Sequence, residues 1–168
     1  MLNSLTEIIK GARVEELPER ISSLIDQLKA TEKELGQFKT ASILASSTAL
    51  IEKAAVIGGL SVIAAPIVDG VSVDDLRTIA TDLRNRINNG VVALSSISDG
   101  RISLVVATSE AARAAGVKAG ALVKIASTVL GGGGGGKDDF AQGGGSKVEA
   151  LSTAFAEILS AINATIGG

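Results

Sequence analysis

The residues of this chain whose types and spacing could do chemistry gather between Gly131 and Gly145, in GGGGGGKDDFAQGGG. Gly131 to Lys137 satisfies the spacing G-x-x-x-x-G-K, in which backbone N–H groups cradle a nucleotide's phosphates and the lysine neutralises them. Two requirements of that chemistry fail. Asp138 stands where a hydroxyl would hold magnesium, and Leu122 to Leu130, ahead of the glycines, reads as helix and not strand. Two readings remain: a flexible linker, or a surface where residues lacking Cβ let a nucleic-acid backbone come close while successive N–H groups form anion-binding concavities. The segment KDDFAQ favours the second, because it places a cation, two carboxylates, a large apolar anchor and an amide between the clusters, with a capped helix directly after. A linker also needs a second domain, and only about 20 residues follow. The candidate contact residues are then Gly131, Gly132, Gly133, Gly134, Gly135, Gly136, Lys137, Asp139, Gln142, Gly143 and Gly144, with Lys118 and Lys124 adding charge from the preceding helix. Asp138 and Asp139 either meet sugar hydroxyls and bases or brace the loop's own backbone. Phe140 is expected in the core.

Composition narrows the chemistry further. Among 168 residues there is neither His nor Cys, so imidazole bases, thiolate nucleophiles, disulfides and the usual zinc ligand sets are excluded. No metal site and no catalytic residue is expected. Aromatic residues make up only 2%, Phe38, Phe140 and Phe155, so base stacking has almost no material and an RNA would have to be held by backbone and shape. Residues 77–147 carry nine basic and five acidic groups, against seven and eleven over residues 1–76. That asymmetry suits a local anionic partner, and it also fits ordinary solubilising charge. No run approaches the length of a membrane span and MLNSLTEIIK lacks the pattern of a signal peptide, so a cytoplasmic chain with no membrane partner is expected.

The elements that must position these residues read as a mixed α/β arrangement: a helical, coiled-coil-like N-terminal arm followed by a small globular domain with a mixed β-sheet covered by helices. Ser4 and Glu7 form a capping box for a short helix closed by Gly11. Pro18 opens a helix in which Leu17, Ile21, Leu24, Leu28, Thr31, Leu35 and Phe38 alternate spacings of four and three, a heptad seam of about three repeats with one polar interruption. The seam suits self-association, or an amphipathic helix folding back on its own domain. A second helical stretch, ILASSTALIEKAAVI, leads to Gly58-Gly59, and LSVIAAPIV reads as a buried strand. Ser72 and Asp75 cap a helix ending at Asn88-Asn89-Gly90, and VVALSSIS and RISLVVAT form a hairpin through Asp99-Gly100. Ser109 caps a short helix, AGALVKIASTVL forms another that runs into the glycines, and Ser146 with Glu149 caps a closing helix over Leu151, Phe155, Ile158 and Ile162. The division expected is residues 1–55 as arm and candidate dimerisation element, and 56–168 as globular domain with a glycine-rich loop at 131–145.

Taken together, these segments resemble the C-terminal region of alanyl-tRNA synthetases, a coiled-coil helix followed by a DHH-associated domain. GGGGGGKDDFAQGGG is similar to that domain's signature, EELPERISSLIDQLKATEKEL to its coiled-coil helix, and VDGVSVDDLRTIATDLRNRINNGVVAL, DGRISLVVATS and VKAGALVKIASTVLGG to the globular part in order and spacing. The resemblance implies a non-catalytic piece that contacts the tRNA elbow, supports homodimerisation through the arm, and assists aminoacylation and editing performed elsewhere. The tRNA implied is the alanine-specific one. ATP and zinc would belong to the other domains of such an enzyme, with no cofactor in this chain. Residues 1–11 resemble the trailing edge of the editing domain. Two departures stand out: Asp138 where the family often has Pro, and the Thr31-interrupted seam. The same domain type occurs in DHH phosphodiesterases acting on short nucleic acids, the alternative parentage, although their glycine loop usually carries a His.

Overall fold

Helix α1 runs without a break from Leu17 to Glu52 in the computed structural model, which describes residues 17–167 except the side chains of Leu17 and residues 35–48. The short helix expected near Ser4 to Gly11 lies outside the described residues. The chain divides between Phe38 and Lys39 into two units. Within the first, Ile21, Leu24, Ile25 and Leu28 are exposed along α1. Thr31, the polar member of the seam, donates its hydroxyl to the Gln27 carbonyl at 2.9 Å, so it presents no unsatisfied donor there.

The second unit is built on a six-stranded sheet. Its elements after α1 are β1 (Ala55–Ile57), β2 (Leu60–Pro66), α2 (Val73–Ile87), β3 (Gly90–Ser98), β4 (Arg101–Thr108), α3 (Glu110–Ala114), α4 (Ala119–Val129), β5 (Gly134–Gly136), β6 (Phe140–Gly145) and α5 (Leu151–Ile166). The strand order is β1-β2-β3-β4-β6-β5, with β2 and β3 parallel and every other pair antiparallel. The parallel pair is joined by α2, the expected crossover helix. Ser72 accepts the Asp75 N–H at 3.1 Å to start it, and Asn88, at φ +54°, ends it. Asp99 and Gly100 both have positive φ, as the two-residue turn between β3 and β4 requires.

Side chains alternate across the sheet and separate two cores. Val91, Ala93, Ile102, Leu104, Val106 and Ala141 face α4 and α5, whereas Val92, Leu94, Val105 and Ala107 face α2. Leu50, Ile51 and Ala54, at the end of α1 and just after it, pack on the second core.

Three sequence expectations need correction. Ala55–Ile57, which the sequence composition places at the end of a helix, is a short edge strand that turns through Gly58 and Gly59 onto β2. The closing helix does not start from a Ser146–Glu149 box: a 3-10 turn over Val148–Ala150 intervenes, and the helix begins at Leu151 without a side-chain cap. The third concerns the glycine loop, which is a β-hairpin.

Candidate nucleic-acid interface

The nine glycines split into groups with different reasons for lacking a side chain. Gly131, at φ +69°, ends α4: its N–H donates to Thr128 and that of Gly132 to Ser127, the paired bonds that close a helix on a left-handed residue. The chain then forms β5 and β6 with Gly134 opposite Gly143, Gly135 opposite Gln142 and Gly136 opposite Ala141. A segment with a fixed register on the edge of a sheet is not a flexible linker, and a helix before the glycines is not the strand a phosphate loop needs.

Alternation gives the hairpin two faces. On the α4 face a Cβ on Gly134 would lie 2.7 Å from a Val123 methyl and 2.5 Å from the Gly143 Cα, and one on Gly143 would lie 2.3 Å from the Ser127 hydroxyl. These glycines let a helix and a strand pair touch backbone to side chain. On the opposite face a Cβ at Gly133 or Gly135 would meet nothing within 4 Å, and neither residue has a positive φ. Nothing within the described chain requires glycine at these two positions.

The turn Asp138–Asp139 lacks the positive φ values that suit a two-residue hairpin, and tertiary contacts hold it instead. The Asp138 carbonyl accepts the Thr108 hydroxyl at 2.6 Å and the Ala119 N–H at 3.0 Å, and the Asp139 carbonyl accepts the Thr108 N–H at 2.9 Å. Bracing is thus done by the backbone of the Asp pair. The Asp138 carboxylate pairs with Lys118 at 3.0 Å, while both side chains remain more than half exposed.

Phe140 is half-buried against the α2 core, with the Arg77 guanidinium 4.9 Å above its ring. Around this pair lies a recess of about 390 Å³ that also takes in Gly135, Lys137, Asp139 and Gln142. The fold therefore brings Gly133, Gly135, Lys137, Asp139 and Gln142 to the α2 side. It sets Lys118 at the start of α4 and Lys124 on its exposed surface, on the other side of the hairpin. Arg77 was visible in the sequence only as one of nine basic residues. Its partnership with Phe140, 63 positions away, depends on the strand order.

A second recess, of about 540 Å³, is lined by Arg84, Asn85, Asn88, Thr108, Ser109, Glu110, Arg113 and Asp139. No described helix is long and apolar enough to cross a membrane, and no group of three or more His, Cys, Asp or Glu residues that could hold a metal occurs among the described residues.

The DHHA1 domain matches residues 59–167. Alanine–tRNA ligases are similar along most of the chain: that of Acidothermus cellulolyticus is 43% identical over 99% of it, that of Renibacterium salmoninarum 46% over 98%, and that of Streptomyces avermitilis 41% over 89%. The chain spans only 17–19% of the length of these relatives. In fold it is similar to the C-Ala domain from Aquifex aeolicus alanyl-tRNA synthetase, with a TM-score of 0.56 and 29% identity over 69% of this chain and 99% of that one.

Proposed function

The chain belongs to the DHHA1 domain family, with alanine–tRNA ligases as its relatives, and from that membership we propose that it grips tRNA through the glycine hairpin without performing catalysis itself. The observation that supports this best is the open face at Gly133 and Gly135, where the absence of side chains serves no contact inside the described chain. Bare strand backbone admits a sugar-phosphate chain to a distance that any Cβ would prevent. Lys137, exposed beside that face, supplies positive charge, and Gln142 and Asp139 supply an amide and a carboxylate for bases and ribose hydroxyls. Lys118 and Lys124 extend the charge on the α4 side, Lys118 partly offset by Asp138. The tRNA is the alanine-accepting one, gripped at its elbow, and the aminoacylation and editing it assists belong to other parts of a longer enzyme. The similarity to the three alanine–tRNA ligases named above, each over most of the chain, favours this parentage over a phosphodiesterase.

Titration of a tRNA transcript with the parent chain and with Lys137→Ala tests the assignment. Binding by the variant should be several-fold weaker, with the salt slope reduced by about one. Equal binding by the two proteins, or none by the parent at low salt, overturns it.

A second role is supported by a separate observation. Ile21, Leu24 and Leu28 are 43%, 51% and 59% exposed, large apolar side chains in heptad register on a helix face. We infer that a second copy of α1 covers this seam and that the chain forms a homodimer through the helical arm, residues 1–55; Leu17 and Leu35, which the sequence spacing adds to the seam, have side chains outside those described. Sedimentation should give a dimer that Leu28→Asp converts to monomer. A parent chain that is monomeric at high micromolar concentration refutes this role.

A further inference from the structure

The two recesses on the α2 side are neighbours, since Asp139 lines both. On α2, Arg77 belongs to the first and Arg84 to the second, seven residues and two turns apart on one face, about 10 Å at 1.5 Å per residue. Arg113 reaches the second recess from α3 and lines it together with Arg84. Among the described residues, none of Arg77, Arg84, Arg113 and Lys137 has a carboxylate within ion-pair distance. Arg84 bonds its neighbour Asn85 at 3.1 Å, and the Nε of Arg113 donates to the Ser109 carbonyl at 3.4 Å. Cations held in a concave, polar site without a fixed counter-ion keep their charge for an external anion. Two carboxylates, Glu110 and Asp139, share the second recess without neutralising either arginine by direct contact. A recess offering guanidinium groups and acceptor-only carboxylates side by side matches a phosphodiester chain whose sugars carry hydroxyl donors.

We propose that the recess between α2 and α3 is a second contact for the RNA backbone, in which Arg84 and Arg113 take phosphates while Glu110 and Asp139 accept ribose 2′-hydroxyls. It rests on the tRNA reading above and extends the contact beyond the hairpin. A strand crossing bare Gly133 and Gly135 passes Lys137 and Arg77 and continues along α2 to this recess. The carboxylates make it a discriminator: a deoxyribose chain finds the same cations but leaves Glu110 and Asp139 facing its phosphates with no hydroxyl to accept.

The test uses the full chain with a tRNA transcript and with its all-deoxy counterpart, titrated between about 50 and 200 mM salt. Arg84→Ala/Arg113→Ala should weaken tRNA binding about tenfold and lower the salt slope by about 1.5, whereas Arg84→Lys/Arg113→Lys should recover most of the slope. Arg101→Ala/Lys53→Ala removes the same charge at the start of β4 and in the turn after α1, away from both recesses, and should change neither by as much. Glu110→Gln should narrow the preference for RNA over DNA about threefold. Parent-like affinity and slope in the double alanine variant overturn the phosphate assignment, and an unchanged RNA-to-DNA ratio in Glu110→Gln overturns the ribose assignment. If Lys137→Ala weakens binding while the arginine pair does not, the recess fails and the hairpin reading stands. If the parent binds no tRNA, both fail.

Discussion

Adjacent glycines of β5 should respond to the same substitution in opposite directions. Gly134→Ala places a methyl group 2.5 Å from the Gly143 Cα, 2.7 Å from the Gln142 carbonyl and 2.7 Å from a Val123 methyl. The first two are backbone atoms of a paired strand and cannot rotate away, so the cost sits near the upper end for overpacking, about 3 kcal/mol. Gly135→Ala places its methyl in open space at a φ any residue adopts. That change removes freedom from the unfolded chain and should stabilise by about 0.5 kcal/mol. At roughly 3 °C per kcal/mol for a chain of this size, Tm should fall by about 9 °C in the first variant and rise by about 1–2 °C in the second. Thermal denaturation followed by circular dichroism reads both, and tRNA titration separates them again. Gly135→Ala, though fully folded, should bind tRNA more weakly because its methyl occupies the approach. Equal Tm losses for the two variants, or a larger loss for Gly135→Ala, would refute the two-faced hairpin. A stabilised Gly135→Ala that binds tRNA like the parent would refute the use assigned to the open face.

Two further substitutions probe how the hairpin and its surroundings are held. Ser109 accepts N–H groups from Gly90 at 2.9 Å and Ala112 at 3.1 Å, so Ser109→Ala orphans a buried donor and a helix cap together. A loss of about 2–3 kcal/mol is expected, visible as a Tm about 6–9 °C lower. Thr108→Val keeps the shape but deletes the 2.6 Å bond to the Asp138 carbonyl, which retains the Ala119 N–H. It should cost about 1 kcal/mol and speed amide hydrogen exchange in β5 and β6, whereas unchanged exchange there would mean that Thr108 does not clamp the turn.

How much of this was legible in the sequence depended on which side chains carry the signal. Ser72, Asp99-Gly100 and Ser109 each satisfy a local backbone requirement, so the helix starts and the β3–β4 turn were readable from neighbours alone. The apolar runs of β2, β3 and β4 were equally plain. The pattern is silent at β5 and β6, because strand periodicity is carried by side chains and six of the nine residues in these strands are glycine, which ordinarily argues against a strand. β1 was missed for a related reason. It has three residues, one neighbour and an exposed Val56, and its Ala-rich lead-in continues a helical composition. The candidate site was half legible. Lys137, Asp139 and Gln142 are close in sequence to the glycines, whereas Arg77, Arg84 and Arg113 meet them only because β4 pairs with β6 and α2 and α3 flank that junction. Which glycines serve packing and which stay open required knowing where α4 lies.

The turn anchored on Thr108 and Ala119 also carries an expectation about the order of assembly. Glycine surrenders more backbone freedom on ordering than any other residue, on the order of 0.5–1 kcal/mol beyond alanine at each position, and β5 has no side chain to bury in return. Its two anchors come from the end of β4 and the start of α4, so neither exists until the central hairpin and the helix beneath are in place. The glycine hairpin is therefore expected to order after the scaffold beneath it, so that its surface would become available to a partner only once the core is complete; pulsed hydrogen exchange showing β5 and β6 protected before β3 and β4 would refute that order.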